Sequence, residues 1–168
     1  MPKGTGGIDG LSLSTANLFS AVQPGGSLFG LQHSNPVKTS IAYKGPSQNY
    51  GTPNDPLVGK KIGGVNVFGG GLALYDQAGK VIGAIGVSGD TSCTDHIVAW
   101  KVRDALALDF VPAGVSPTGD DNIIFDTTVD ATTGHTVSAG GFGHPECDPT
   151  GTAVGNNLPI SNPVSPIP

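Results

Sequence analysis

Charged side chains are scarce in this sequence, and the basic ones stop early. Asp, Glu, Lys and Arg make up 12% of the 168 residues, about half the share in an average globular chain. The last basic residue is Arg103, and eight acidic residues follow from Asp104 onward. A nucleic-acid partner needs a basic face that displaces counterions. Nucleic acid is therefore excluded as an expected partner.

Long hydrophobic runs are missing as well. No apolar stretch approaches the length of about 18 residues that a membrane-spanning helix needs, so we expect no membrane insertion. The first ten residues, MPKGTGGIDG, contain no apolar h-region of a signal peptide. The low charge and the two cysteines are nevertheless typical of an exported protein. We therefore expect a periplasmic or secreted location, in a mature or trimmed form of the chain.

Only two cysteines are present, and each is spaced closely with a histidine, as Cys93-x-x-His96 and His144-x-x-Cys147. A disulfide between the cysteines would close a long loop and stabilise the fold by roughly 3–4 kcal/mol. The same four residues could instead form a tetrahedral Cys2His2 zinc site, or the two thiols could be unrelated. Low charge and a loop-rich C-terminal half favour the disulfide, and the other two interpretations stay open.

Glycine and proline, in contrast, are abundant, with 27 and 14 residues. This composition predicts one domain, residues 11–148, with long irregular loops. Residues 33–63 are predicted to form a surface loop, and loops of that length are usually functional. Residues 1–10 are predicted to be flexible. The proline-rich residues 149–168 are predicted to form an extended or disordered arm.

Two β-rich runs and a helical pattern form the clearest local signal. GVNVFGGGLALYD and KVIGAIGVSG are separated by DQAG, which predicts a hairpin with a bulged type I turn. Asp90, Thr91 or Ser92 can then cap a helix that ends near Leu108. Its apolar stripe is predicted to face the core, with Trp100 off that stripe. The stripe consists of Val98, Val102, Ala105 and Leu106.

Weaker patterns lie on either side of the hairpin and helix. Residues 11–22 predict a helix of two to three turns capped by Ser12 or Ser14, residues 27–31 a brief strand, and residues 122–129 another strand. The hairpin itself is rich in glycine, which removes packing area. Something must therefore lie close against it: a helix, a second subunit or a flat ligand. The glycines concerned are Gly69, Gly70, Gly71, Gly83 and Gly86.

Catalytic motifs are weak. GVSGD lacks the lysine of a phosphate-binding P-loop, and around Ser88 the pattern is G-x-S-G rather than the nucleophile elbow G-x-S-x-G. His135 in TTGHT is interpreted as a solvated turn residue. Four aspartates fit no EF-hand spacing and are assigned to a solvated acidic face: Asp120, Asp121, Asp126 and Asp130. Whether the protein is an enzyme stays open, with side-chain catalysis disfavoured.

The stretch GGGLALYDQAGKVIGAIGVSGDTSCTDHIVAWKVRDAL resembles the haem-binding GlcG/HbpS-like family, which also occurs as the C-terminal domain of PduO-type proteins. The strings GDTSCTDH (89–96) and GFGHPEC (141–147) resemble a longer-looped subgroup. Ala73 stands where a proline is frequent. The family's usual N-terminal helix and strands have no counterpart before residue 11. The resemblance extends over about residues 11–150.

The resemblance implies an α+β fold, with a profilin-like or PAS-like antiparallel sheet flanked by helices, that assembles into homo-oligomers. It also implies a binding protein for haem or a related flat tetrapyrrole, with a histidine as axial iron ligand. The candidate ligands are His33, His144 and His96, in that order, because His33 lies by the long loop and away from the expected disulfide. The alternative function is a structural or accessory subunit that binds partner chains and no cofactor.

Overall fold

The computed structural model of the protein describes residues 10–168. Residues 1–9, and with them almost all of the N-terminus predicted to be flexible, lie outside the described part. The elements follow in the order β1 (Leu11–Ser12), α1 (Leu18–Ala21), α2 (Leu31–Ser34), α3 (Thr39–Ala42), a 3-10 turn (Ser47–Asn49), β2 (Gly71–Tyr75), β3 (Val81–Gly86), α4 (Ser92–Ala105), β4 (Ala113–Gly114), β5 (Thr127–Val129), β6 (Thr136–Ser138) and α5 (Pro149–Ser161).

The strands of the described chain pair two by two. β2 and β3 form an antiparallel hairpin with Leu72 opposite Ile85, β5 and β6 form a second antiparallel pair, and β1 lies parallel to β4. Helix α4 packs on β2 and β3, and α5 packs on α4. The α+β class predicted from the sequence is confirmed.

The predicted hairpin and its turn are confirmed. The Asp76 carboxylate accepts hydrogen bonds from the backbone N–H groups of Ala78 and Lys80, both at 3.0 Å. Gly79 has a φ of +70°, the left-handed conformation that glycine adopts without steric cost. A register shift between Leu74 and Tyr75 forms the bulge. Local turn chemistry therefore accounts for the shape of this connection.

Helix α4 begins where the sequence predicts it, but it faces the other way. Thr91 is the N-cap, and its side chain accepts from the Thr94 N–H at 3.2 Å. The stripe predicted to face the core is exposed: Val98 by 41%, Val102 by 37% and Leu106 by 55%. Trp100, predicted to lie off the core-facing stripe, is buried instead. The helix therefore turns a partly polar face inward.

Buried charges explain this orientation of α4. Arg103 is fully buried and donates to both carboxylate oxygens of Asp121, at 2.8 and 2.7 Å, and to the Ala73 carbonyl at 3.2 Å. Its guanidinium also stacks 4.9 Å from the centre of the Trp100 ring. A buried charge is tolerated when it is paired, and the two bonds to Asp121 pair the charge of Arg103, although its Nε has no hydrogen-bond partner within residues 10–168. An apolar-stripe rule cannot anticipate a paired charge in the core.

The C-terminal segment differs from the structure that the sequence predicted. Residues 149–161 form α5 rather than an extended or disordered arm. The Asp148 carboxylate caps the helix by accepting from the Gly151 N–H at 2.8 Å. Pro149 occupies the first turn, where a missing N–H costs nothing. Leu158 is fully buried in a core cluster with α4. Proline content alone misled the prediction, because packing on α4 stabilises the helix.

The N-terminal predictions are wrong in part. Residues 11–22 contain only the single turn α1, since Leu11–Ser12 pairs as β1 and the Asn17 side chain bonds to Ser14 and to the Asn122 carbonyl. Such local side-chain bonds compete with a helix. Residues 27–31 form turns leading into α2 and no strand, and within 122–129 only Thr127–Val129 is a strand. The segment 33–63 is largely irregular and exposed, as predicted.

Among the helices of the described residues, none combines the length and the hydrophobicity that a bilayer crossing requires.

Candidate functional site

The predicted disulfide between Cys93 and Cys147 is present. Cys93 lies in the first turn of α4 and is fully buried, whereas Cys147 lies just before α5 and is exposed. Their Cα atoms are 6.1 Å apart. The Cys147 sulfur accepts the backbone N–H of Cys93 at 3.3 Å and lies 3.6 Å from the Ser92 hydroxyl oxygen. The bond therefore fastens the segment before α5 to the N-terminus of α4.

His144 packs beside this disulfide. Its side chain is 2% exposed, and its ring lies 5.2 Å from the Phe19 ring and 6.3 Å from the Phe68 ring, measured between centroids. Nδ1 lies 2.7 Å from the Pro145 carbonyl oxygen, which can only accept, so Nδ1 carries the proton. Nε2 has no hydrogen-bond partner within residues 10–168. Burial lowers the pKa of His144, which keeps the ring neutral.

A ring nitrogen of His144 and the sulfurs of Cys93 and Cys147 lie within 4.8 Å of one another. We call these three residues the Cys/His cluster. Three of the four residues predicted as a zinc set therefore lie together. The fourth, His96, is not a member of the cluster. With the disulfide closed, the sulfurs hold no thiolate charge and cannot ligate zinc in the usual way.

His96 is part of the core. Its side chain is fully buried in α4, and its Nε2 accepts the Ile123 N–H at 3.1 Å and lies 3.1 Å from the Asn122 amide oxygen. Burial lowers the pKa of His96 to about 4. The neutral ring thus connects α4 to the buried segment that follows Asp121. These contacts use the imidazole as a structural group.

His33 lies apart from these contacts in sequence and environment. It belongs to the one-turn helix α2 at the start of the irregular segment, and it is exposed. The three histidines predicted as axial ligands therefore occupy different settings: His33 on the surface, His144 beside the disulfide and His96 in the core. Only His33 presents its imidazole to solvent.

A cleft of about 490 Å³ opens beside Phe19. Its walls come from α1, from the segment after it and from the β5–β6 hairpin: Phe19, Gln23, Pro24, Asp130, Thr133, His135, Thr136 and Val137. A volume of this size suits a small ligand. His135, interpreted from the sequence as a solvated turn residue, is exposed on this wall. The feature of the sequence that could have indicated a site at His135 is its place in a tight turn between two Thr/Val-rich runs.

Contacts within the chain account for most of the glycines in and beside the hairpin. A Cβ on Gly69 would collide with the Ser92 carbonyl and lie 3.0 Å from the Cβ of His96, and one on Gly71 would collide with Thr15. A helix and a neighbouring loop therefore provide the close approach that the sequence predicted. Gly86, on β3, has open space at the same position. The part of the hairpin left bare is thus the β3 strand.

The chain matches a family model and is similar to a curated protein. Residues 10–104 match the family model described as "Haem degrading protein HbpS-like". The chain is 33% identical over 97 residues to the "Uncharacterized 15.0 kDa protein in dhaT-dhaS intergenic region" of Citrobacter freundii. That alignment covers 58% of this chain and 49% of the relative, about half its length. No solved structure matches the chain. His135, His144 and Cys147 lie beyond the region that matches the family.

Proposed function

This chain belongs to the HbpS-like family, described as haem degrading proteins, and from that premise we propose that it binds haem or a related flat tetrapyrrole. The proposed role is binding rather than catalysis, carried out by a homo-oligomer. The disulfide is typical of oxidising compartments, which supports the proposal of a periplasmic or secreted location.

The cleft beside Phe19 is the observation that carries the proposal. It combines apolar walls, from Phe19, Pro24 and Val137, with the exposed imidazole of His135. A flat macrocycle needs an apolar surface along its face, and a histidine nitrogen is one of the axial ligands that haem iron takes. Haem would supply the metal and the tetrapyrrole chemistry, and the chain would supply the pocket and the ligand.

The axial ligand is proposed to be one of the two exposed histidines. His33 is the first candidate from the sequence, and His135 joins it because it lines the cleft. His144 and His96 follow, because both are buried and hydrogen-bonded within the core. Coordination by either buried ring would require the surrounding packing to open.

A haemin titration of the full chain, followed at the Soret band, tests the proposal. We expect a saturable red shift, and His33→Ala or His135→Ala should raise the Kd by about tenfold or more. Both substitutions replace an exposed histidine with alanine, so each serves as the control for the other. A wild-type protein without a saturable shift would remove the proposal and favour the accessory-subunit alternative.

Binding and degradation are separated by the fate of the complex. We expect the Soret band to persist when the haem complex is mixed with ascorbate in air, since the sequence indicates no acid–base pair for catalysis. Multiple-turnover loss of the band, with release of an open-chain product, would instead show that the chain degrades haem. Bleaching by free peroxide is controlled by adding catalase.

A further inference from the structure

The Cys/His cluster has one exposed member and two buried ones. Cys147 is open to solvent, while Cys93 and His144 lie inside. A thiol reductant can therefore reach the Cys147 sulfur first. The thiolate of the reductant attacks the Cys147 sulfur, the S–S bond breaks, and the electron pair leaves with the Cys93 sulfur. A second reductant thiol then resolves the mixed disulfide, so two reductant thiols are oxidised to a disulfide and two protein thiols form.

The surroundings favour thiolates once the bond is open. Both sulfurs lie at the N-terminus of α4, a helix of 14 residues, where the macrodipole stabilises negative charge. The Cys147 sulfur already accepts the Cys93 N–H and contacts the Ser92 hydroxyl. These donors remain in place after reduction, because they belong to the helix start that Thr91 caps.

His144 completes the set of ligands. Its Nε2 is a buried polar atom without a partner within residues 10–168, and its Nδ1 proton is held by the Pro145 carbonyl. A neutral ring fixed through one nitrogen is the usual state of a metal-ligating histidine. Two thiolates and one imidazole form a Cys2His set, which is typical of catalytic zinc sites with a fourth position open to solvent.

We propose that reduction of the Cys93–Cys147 disulfide creates a binding site for a borderline-soft divalent cation, Zn²⁺ above all, with Cys93, Cys147 and His144 as ligands. A tetrahedral zinc site places such ligands about 3.6–3.8 Å apart, and the cluster already lies within 4.8 Å. Binding releases the two thiol protons and leaves the third, buried ligand uncharged. The closed disulfide excludes the metal, so occupancy follows the redox state.

Co²⁺ binding to the full chain tests this proposal, because cobalt reports both thiolate ligation and tetrahedral geometry. The protein is reduced with a phosphine, which is then removed under anaerobic conditions, and Co²⁺ is added to the reduced and oxidised forms. We expect about one Co²⁺ per reduced chain, with thiolate-to-cobalt charge-transfer bands and intense d–d bands, and neither in the oxidised chain. Zn²⁺ should displace the cobalt.

Two substitutions assign the ligands. Cys147→Ser, at an exposed position, should weaken cobalt binding by about tenfold or more and reduce the charge-transfer intensity. His144→Gln should keep the thiolate bands but shift the d–d bands, because an oxygen or water replaces nitrogen. Ser40→Ala, at an exposed serine on α3, is the control and should leave cobalt binding and both sets of bands unchanged. Circular dichroism verifies that each variant retains its helices.

Three results would overturn the proposal. The first is a reduced, folded protein that binds no stoichiometric cobalt. The second is equal binding by the oxidised protein, which would place the metal elsewhere. The third is loss of helical structure on reduction with no recovery on addition of Zn²⁺, since the ligand set would then not exist in a folded chain.

Discussion

At the scale of single residues, the chain buries several of its few charged side chains and two of its four histidines. Arg103 and Asp121 are buried together, and His96 lies beside them as a neutral ring. Asp120, assigned from the sequence to a solvated face, is also buried and accepts from the Ser116 hydroxyl at 2.6 Å. A low content of charged residues therefore does not mean a charge-free core. Arg103, Asp121 and Asp120 each have a specific side-chain partner instead.

The buried state of His96 predicts how stability depends on pH. Its pKa falls from 6.5 to about 4 on folding, so between these values the unfolded chain binds a proton that the folded chain does not. The free energy of unfolding must therefore decrease as the pH falls through this window, by on the order of 2 kcal/mol at pH 5. The lowered pKa of His144 acts in the same direction.

Urea unfolding at pH 7 and pH 5 measures this effect. His96→Gln should lower stability at pH 7 but reduce the difference between the two pH values, whereas His33→Gln, at the surface, should reproduce the wild-type difference. If the His96 variant does not fold, the ring can be titrated directly by NMR in the wild type. Titration of His96 near pH 6.5 would contradict the prediction.

At the scale of elements, the junction between the hairpin and α4 is a tight contact beside the Cys/His cluster. Gly69 lies against the Ser92 carbonyl and the Cβ of His96, at the start of the helix that carries Cys93. Any side chain there must move the helix N-terminus. The glycine thus sets the distance between the strand and the Cys/His cluster.

Gly69→Ala should destabilise the fold by about 1–3 kcal/mol, because a methyl group in a fully packed site forces the backbone to shift. Gly86→Ala is the matched control: its Cβ would meet nothing within 4 Å, so its effect should stay within about 0.5 kcal/mol. Thermal or urea unfolding compares the two. Equal losses would show that general strand effects, rather than the contact with α4, determine the cost.

The elements that the sequence predicted are those determined by local chemistry. The DQAG turn and the Thr91 cap depend on residues within four positions of each other, and both are confirmed. The helix α5 and the orientation of α4 depend on partners far away in the sequence, such as Leu158 in the core and Asp121 beside Arg103. No periodicity rule contains that information. The predicted cystine lies between these cases: composition favoured it, but only the fold brings His144 to it.

At the scale of the whole molecule, α4 and β3 leave apolar surface uncovered. Val98, Val102 and Leu106 follow one another at a spacing of four residues on the outer side of α4. Strand β3 is an edge of its two-stranded sheet and is exposed over most of its length, including Val81 and Ile82. Edges and apolar stripes of this kind favour association between chains. The net charge of −5 is small enough to permit it.

The proposed homo-oligomer should therefore use the outer stripe of α4. In sedimentation velocity at micromolar concentration, we expect the wild type to exceed the 16.8 kDa of one chain and Val102→Glu to shift it toward that mass. Val129→Glu introduces the same charge at a site that is 69% exposed on β5, so it should leave the assembly intact. A buried carboxylate without a partner costs several kcal/mol, enough to disrupt a contact built on three aliphatic side chains. A wild type that sediments as a single chain would exclude the assembly, and equal dissociation by both variants would place the interface away from α4.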